Sequence, residues 1–192
     1  MTITTYGVKY MNLPNKITLF RIAMIPLFVY VYMAQPFGAP WSDWAAIAVF
    51  TVASISDAID GYVARTYNLI TNFGKLMDPL ADKLLVCAAF ITFVATGMMP
   101  AWAVIVLVSR EFFISGMRQL ALEKGMILAA SAGGKIKMVT QVVLIIFLLI
   151  PFSWWGLVDI FYWMVLIVTL LASVLSAVDY AVRNWSLFSQ LG

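Results

Sequence analysis

Four aspartates, Asp57, Asp60, Asp78 and Asp82, fall in one short stretch, SDAIDGYVARTYNLITNFGKLMDPLADK, of a chain that is otherwise largely apolar. A carboxylate in hydrocarbon costs roughly 2.5–3.5 kcal/mol even on the lenient insertion scale, so four of them need a compensating partner. Arg65, Lys75 and Lys83 are the cations close in sequence, and pairing with them at a membrane edge is the plain alternative. A divalent cation is the stronger candidate. The chain has no histidine and one cysteine, Cys87, set in an apolar run. That disfavours a Cys/His zinc site and excludes a disulfide within the chain. Oxygen donors alone suit Mg²⁺ or Mn²⁺, and four aspartates are enough to hold two ions against a diphosphate.

The spacing implies helices. At about 100° per residue, Asp57, Asp60, Gly61, Ala64 and Arg65 share one helical face. Gly74, Asp78 and Asp82 recur every fourth residue and would form a second stripe on the next helix. Pro79 allows another reading, because the residue before a proline avoids the helical region. Asp78 would then cap a helix with Pro79 in its first turn, leaving Gly74 just outside. In both readings two carboxylate pairs on two elements, joined by the short polar link 66–72, can converge. Gly61, Ala64 and Gly74 lack bulk and would let a nucleotide or a neighbouring backbone approach, and Arg65 offers charge to a phosphate.

What must position these residues is a membrane-embedded helical frame. The composition is 64% hydrophobic and 11% charged, with mean hydropathy +0.97, which excludes a soluble globular domain. A chain of 192 residues has room for about six spans of roughly 20 residues and little else. We expect spans at 22–34, 44–65, 79–97, 101–122, 135–150 and 157–181, within one domain covering 11–192. Residues 1–10 are patternless and read as an extension ahead of a native start at Met11. A cleaved signal peptide is the rival reading of the N-terminus, but no convincing cleavage site follows the first span. The turn at Pro36, Gly38 and Pro40 is flanked by Trp41 and Trp44, and Trp154 and Trp155 mark another, an interfacial signature.

All twelve basic residues fall on alternate sides of this scheme, and the turns at 35–43, 98–100 and 151–156 carry none. By the positive-inside rule both termini and the aspartates face the cytoplasm of a multi-pass membrane protein.

The run Asp57-x2-Asp60-Gly61-x2-Ala64-Arg65-x8-Gly74-x3-Asp78-x3-Asp82 resembles, without a departure, the signature of the CDP-alcohol phosphatidyltransferases. Eight fixed residues at fixed spacing arise by chance on the order of 10⁻¹⁰ per start position, far more specific than a lone glycine motif. The resemblance implies a six-helix membrane fold, usually a homodimer, with two divalent metals on the aspartates. It implies that Asp82 activates the acceptor hydroxyl. The segments NLPNKITLFRI, SREFFISGMRQLALEKG and SAGGKIKMVTQ look like those of the bacterial phosphatidylglycerophosphate synthases, a branch of that family. By this likeness Asn15, Thr18 and Arg21 join Asp60, Gly61, Ala64, Arg65 and Gly74 in a CDP-diacylglycerol pocket.

Lys75, Arg110, Arg118, Lys135 and Lys137 form the expected cationic set for glycerol 3-phosphate, an acceptor that carries its own phosphate. Plainer readings stand beside these: Arg118, Lys135 and Lys137 as snorkelling positive-inside residues, Asn15 and Thr18 as a helix cap, and Arg110 with Glu111 as a structural pair. The expected activity is transfer of a phosphatidyl group from CDP-diacylglycerol to glycerol 3-phosphate. A sister enzyme using an inositol phosphate or serine is the alternative within the class, and a divalent-cation transporter the alternative outside it. Nucleic acid is not an expected partner.

Overall fold

A computed structural model describes the backbone of residues 13–66, 72–123, 132–151 and 155–185 and the side chains of 16–56, 80–81, 83–121, 133–151 and 159–185. Residues 1–10 lie outside the described residues. Among the described residues the fold is all α, with no strand: α1 Leu13–Ala34, α2 Trp41–Thr66, α3 Asn72–Ala95, α4 Ala101–Glu123, α5 Ala132–Leu149 and α6 Trp155–Arg183. Stretches of α1 (Lys16–Ala34) and α6 (Asp159–Arg183) are long and apolar enough to cross a membrane. Most of the charges lie on the helices between them, α2 to α5. The chain is an all-helical membrane protein.

Two expectations change. α1 begins at Leu13, well before the apolar run at Ile22, with Pro14 in its first turn, where its missing N–H costs nothing. Thr18 is therefore inside the helix, fully buried, and does not cap it. α3 begins at Asn72 and runs unbroken through Gly74, Asp78, Pro79 and Asp82. The four-residue stripe is the correct reading, and the helix cap at Asp78 is not formed. The bias of a pre-proline residue is local, and helix on both sides of Pro79 overrides it.

The core is where α1, α2 and α3 pack, extended by α4, α5 and α6. Phe28 stacks on Tyr32 at 6.2 Å between ring centres, Phe28 meets Phe50 of α2 at 5.9 Å, and Tyr32 meets Phe93 of α3 edge-on at 5.7 Å. Offset and edge-on aromatic pairs of this kind contribute about 0.5–1.5 kcal/mol each beyond area burial. They lock three helices at the end of the molecule remote from the aspartates. The same end is closed by two built turns. Gln35 donates through Nε2 to Asp43 Oδ1 at 2.9 Å, and Ser42 Oγ accepts from the Phe37 N–H at 3.0 Å. α3 stops in a Schellman motif: Met98 N–H bonds to Phe93 O at 2.8 Å and Gly97 N–H to Val94 O at 3.1 Å. Gly97 supplies the left-handed φ of +73° that this ending demands.

Outward faces are apolar. Ile160, Met164, Ile167, Leu171, Leu175 and Val182 of α6 are all exposed. A continuous apolar face of that length suits lipid or a second protein rather than water.

Candidate active site

The aspartates occupy the C-terminal part of α2 and the N-terminal part of α3. The side chains of Asn15, Asp57, Asp60, Gly61, Ala64, Arg65, Gly74, Lys75, Asp78 and Asp82 lie outside the described residues. Their helical register follows from α1, α2 and α3. Ser54 is one turn ahead of Asp57, and Leu85 and Val86 are one turn beyond Asp82. Among the described residues no group of three or more His, Cys, Asp or Glu gathers. Any metal would rest on the four aspartates.

α1 reaches this region through Arg21, which is fully buried. Its Nε donates to Ser56 Oγ at 3.4 Å, and Ser56 in turn donates to Ala53 O at 2.7 Å. Ser56 immediately precedes Asp57. The arginine is thus bonded to the residue next to the first aspartate.

The second half of the site is ionic and built by α4, α5 and α6. Glu111 is its centre. Its Oε1 accepts from Arg110 Nη1 at 3.0 Å and also pairs with Lys137 Nζ of α5. Arg110 and Glu111 are neighbours on a helix and so point about 100° apart. Arg110 therefore also reaches α6, where its Nη2 donates to Ser176 Oγ at 2.9 Å. All three charged side chains are largely withdrawn from solvent. Lys137, with 7% of its surface exposed, is not a snorkelling residue. One turn on from Glu111, Lys83 of α3 donates to Ser115 Oγ, and Ser115 donates to Glu111 O at 2.6 Å.

Arg118 lies two turns further along α4. Its Nε donates to Tyr180 OH at 3.3 Å, and its guanidinium sits 5.5 Å from the centre of that ring. Tyr180, Ile114 and Met117 form a small second core there. Lys135 is exposed on α5. Arg110 and Lys137 are therefore brought together, while Arg118 and Lys135 stand apart on the outer side.

Between α2, α3, α4 and α5 lies a cavity of about 50 Å³, lined on its polar side by Ser54, Lys83, Glu111, Lys137 and Gln141 and otherwise by Leu85, Val86, Met138 and Val142. Gln141 is 2% exposed, and among the described residues its Nε2 has no hydrogen-bond partner.

Sequence reasoning offered Glu111 only as a counter-ion, and it missed Ser54, Gln141, Ser176 and Tyr180. A lone amide in the middle of an apolar span was a usable signal for Gln141. For Ser176 and Tyr180 there was none, since serine and tyrosine near a span's end are ordinary.

Comparison with known proteins agrees with this architecture. A family model described as CDP-alcohol phosphatidyltransferase matches residues 11–179. The chain is 43% identical over 189 residues to a CDP-diacylglycerol–glycerol-3-phosphate 3-phosphatidyltransferase of Bacillus subtilis (strain 168), covering 91% of this chain and 95% of that one. It is 38% identical over 144 residues to the protein of that name from Escherichia coli (strain K12), covering 72% and 76%. It is 34% identical over 175 residues to a probable phosphatidylglycerophosphate synthase of Mycobacterium tuberculosis (strain ATCC 25618 / H37Rv), covering 90% and 81%. The aspartate signature, the helices that carry it and these matches together identify the chain as a member of the CDP-alcohol phosphatidyltransferase family.

Proposed function

We propose that this protein transfers the phosphatidyl group of CDP-diacylglycerol to glycerol 3-phosphate, giving phosphatidylglycerophosphate and CMP. The observation that carries the reading is the buried Arg110–Glu111–Lys137 cluster beside helices that bear the complete aspartate signature. Three charged groups held largely out of water are costly to keep. An acceptor with its own phosphate gives two of them a function.

The donor would be held by Arg21, Asn15 and Thr18 of α1 with Asp60, Gly61, Ala64 and Arg65 of α2 and Gly74 of α3. The acceptor's phosphate would be held by Arg110 and Lys137, with Lys75, Arg118 and Lys135 guiding it in. Its primary hydroxyl then attacks the lipid-side phosphorus in line, the bond from phosphorus to the CMP oxygen breaks, and the hydroxyl proton passes to a carboxylate oxygen of Asp82. Dependence on a divalent metal is general in the family, and the donor set fits it: carboxylates with no histidine or thiol alternative. Asp57, Asp60, Asp78 and Asp82 would hold two Mg²⁺ or Mn²⁺ ions. Bound there, the ions supply positive charge against the diphosphate.

The same proposal places six spans in the bacterial cytoplasmic membrane, with both termini and the site facing the cytoplasm. The helices have 18 to 29 residues, about 27–44 Å at 1.5 Å per residue, against a hydrocarbon core near 30 Å. The proposal takes the working unit to be a homodimer, as is usual in the family. The test is CMP release by purified protein with CDP-diacylglycerol, Mg²⁺ and a panel of acceptors: glycerol 3-phosphate, inositol phosphate and serine. Glycerol 3-phosphate should be used. Turnover confined to another acceptor overturns the assignment.

A further inference from the structure

The cavity between α2, α3, α4 and α5 is walled by helices from both halves of the site. Ser54, on its α2 wall, shares a helical face with Asp57 three residues on, and Lys83 on its α3 wall follows Asp82 directly. Lys137, on its α5 wall, is one of the two cations paired with Glu111 and sits one turn ahead of Gln141. A three-carbon acceptor with its phosphate at the Lys137 wall and its reacting hydroxyl toward the aspartates of α2 and α3 would bring its middle carbon to this cavity.

Size and polarity say what that carbon would present. About 50 Å³ is a third of the roughly 150 Å³ needed to take a benzene-sized ring, and room for only a few water-sized groups. That volume suits a single alcohol arm better than a six-membered polyol ring. The Gln141 amide is 2% exposed and lines the cavity, and its Nε2 finds no partner among the described residues. A buried donor left unmatched is uncommon in native proteins and points to a group supplied from elsewhere.

We infer that this cavity receives the secondary hydroxyl of the acceptor, its oxygen accepting from Gln141 Nε2 and its hydrogen going to Glu111 or Ser54, so that Gln141 is a specificity-determining residue for a three-carbon polyol phosphate. The inference rests on glycerol 3-phosphate being the acceptor and adds how it is told from its neighbours. A site built to hydrogen-bond a substrate hydroxyl rejects the analogue that lacks it.

The experiment compares CMP release with glycerol 3-phosphate and with propane-1,3-diol monophosphate, which keeps the phosphate and primary hydroxyl but lacks the secondary one. Wild-type protein should favour glycerol 3-phosphate in kcat/KM by roughly 10²–10⁴-fold. Gln141→Leu should shrink that ratio at least tenfold, mostly by loss on glycerol 3-phosphate, and Gln141→Asn should restore part of it. Ser54→Ala, on the opposite wall, gives a second reading of the same ratio should Gln141→Leu not fold. A wild-type ratio in both variants means that the cavity holds only water and overturns the inference alone. Wild-type protein that releases CMP with another acceptor and none with glycerol 3-phosphate overturns the acceptor assignment, and the inference with it.

Discussion

Arg21 Nε and Ser56 Oγ lie 3.4 Å apart, joining α1 to α2 one residue ahead of the first aspartate. Ser56 also donates to Ala53 O, so losing the arginine does not strand the serine. We expect Arg21→Ala to raise KM for CDP-diacylglycerol by one to two decades, the roughly 1.5–3 kcal/mol of a charge-assisted contact, with KM for the acceptor nearly unchanged. Initial rates of CMP release, varied in each substrate separately, measure the split. Equal rises in both would mean general damage to the fold.

Glu111 holds two cations, so its removal should cost more than theirs. Glu111→Gln removes the carboxylate that Arg110 and Lys137 share and should lower stability by about 3–5 kcal/mol. Lys137→Met still leaves Glu111 paired with Arg110, so it should melt closer to wild type while raising KM for glycerol 3-phosphate by at least tenfold. Thermal melts in detergent with the kinetics of both variants decide this. The same order of effects in reverse would remove Glu111 from the centre of the cluster.

Oxygen-only donors dictate the metal behaviour. EDTA should abolish turnover and Mg²⁺ or Mn²⁺ restore it. Asp57→Ala, Asp60→Ala and Asp78→Ala should each be inactive yet keep wild-type helicity by circular dichroism. Full activity in any one, or under thorough chelation, would remove the two-ion site.

Asp82→Asn keeps the shape of the side chain and removes the base. Turnover should fall by roughly two to four decades while CDP-diacylglycerol still binds, as read by equilibrium binding of the labelled liponucleotide. A variant that no longer binds it would make Asp82 a ligand instead. Normal turnover would pass the role of base to another group.

Topology can be read with single cysteines in a Cys87→Ser background. Phe37 is a better position than its neighbour Gly38, whose φ of +72° would strain any side chain. Phe37→Cys and Ser153→Cys should react with an impermeant maleimide in intact cells, and Thr71→Cys only after permeabilisation. Labelling of Thr71→Cys from outside would invert the arrangement.

The helices and the aspartate stripe were legible because both are matters of period: apolar runs set the spans, and a four-residue repeat survived even the proline at position 79. The ionic cluster was half legible. Arg110 and Glu111 stood out as charges deep in an apolar span, but adjacency in sequence says nothing of their outside partners. Only packing shows that one turns to Ser176 of α6 and the other to Lys137 of α5. Gln141 was passed over for the same reason, since its importance lies in a cavity walled by four helices. The start of α1 was misjudged where Thr18 was read as a cap, when its burial with Arg21 places it inside the helix.

The bond between Glu111 and Lys137 also bears on how the chain is made. In a bilayer, α4 alone would carry Arg110 and Glu111 into hydrocarbon, and α5 alone would carry Lys137, at roughly 2.5–3.5 kcal/mol for each charge. Glu111 of α4 and Lys137 of α5 meet once the two helices lie side by side. In the proposed six-span arrangement, entry of α4 and α5 into lipid as a pair would spare Glu111 and Lys137 from facing hydrocarbon singly.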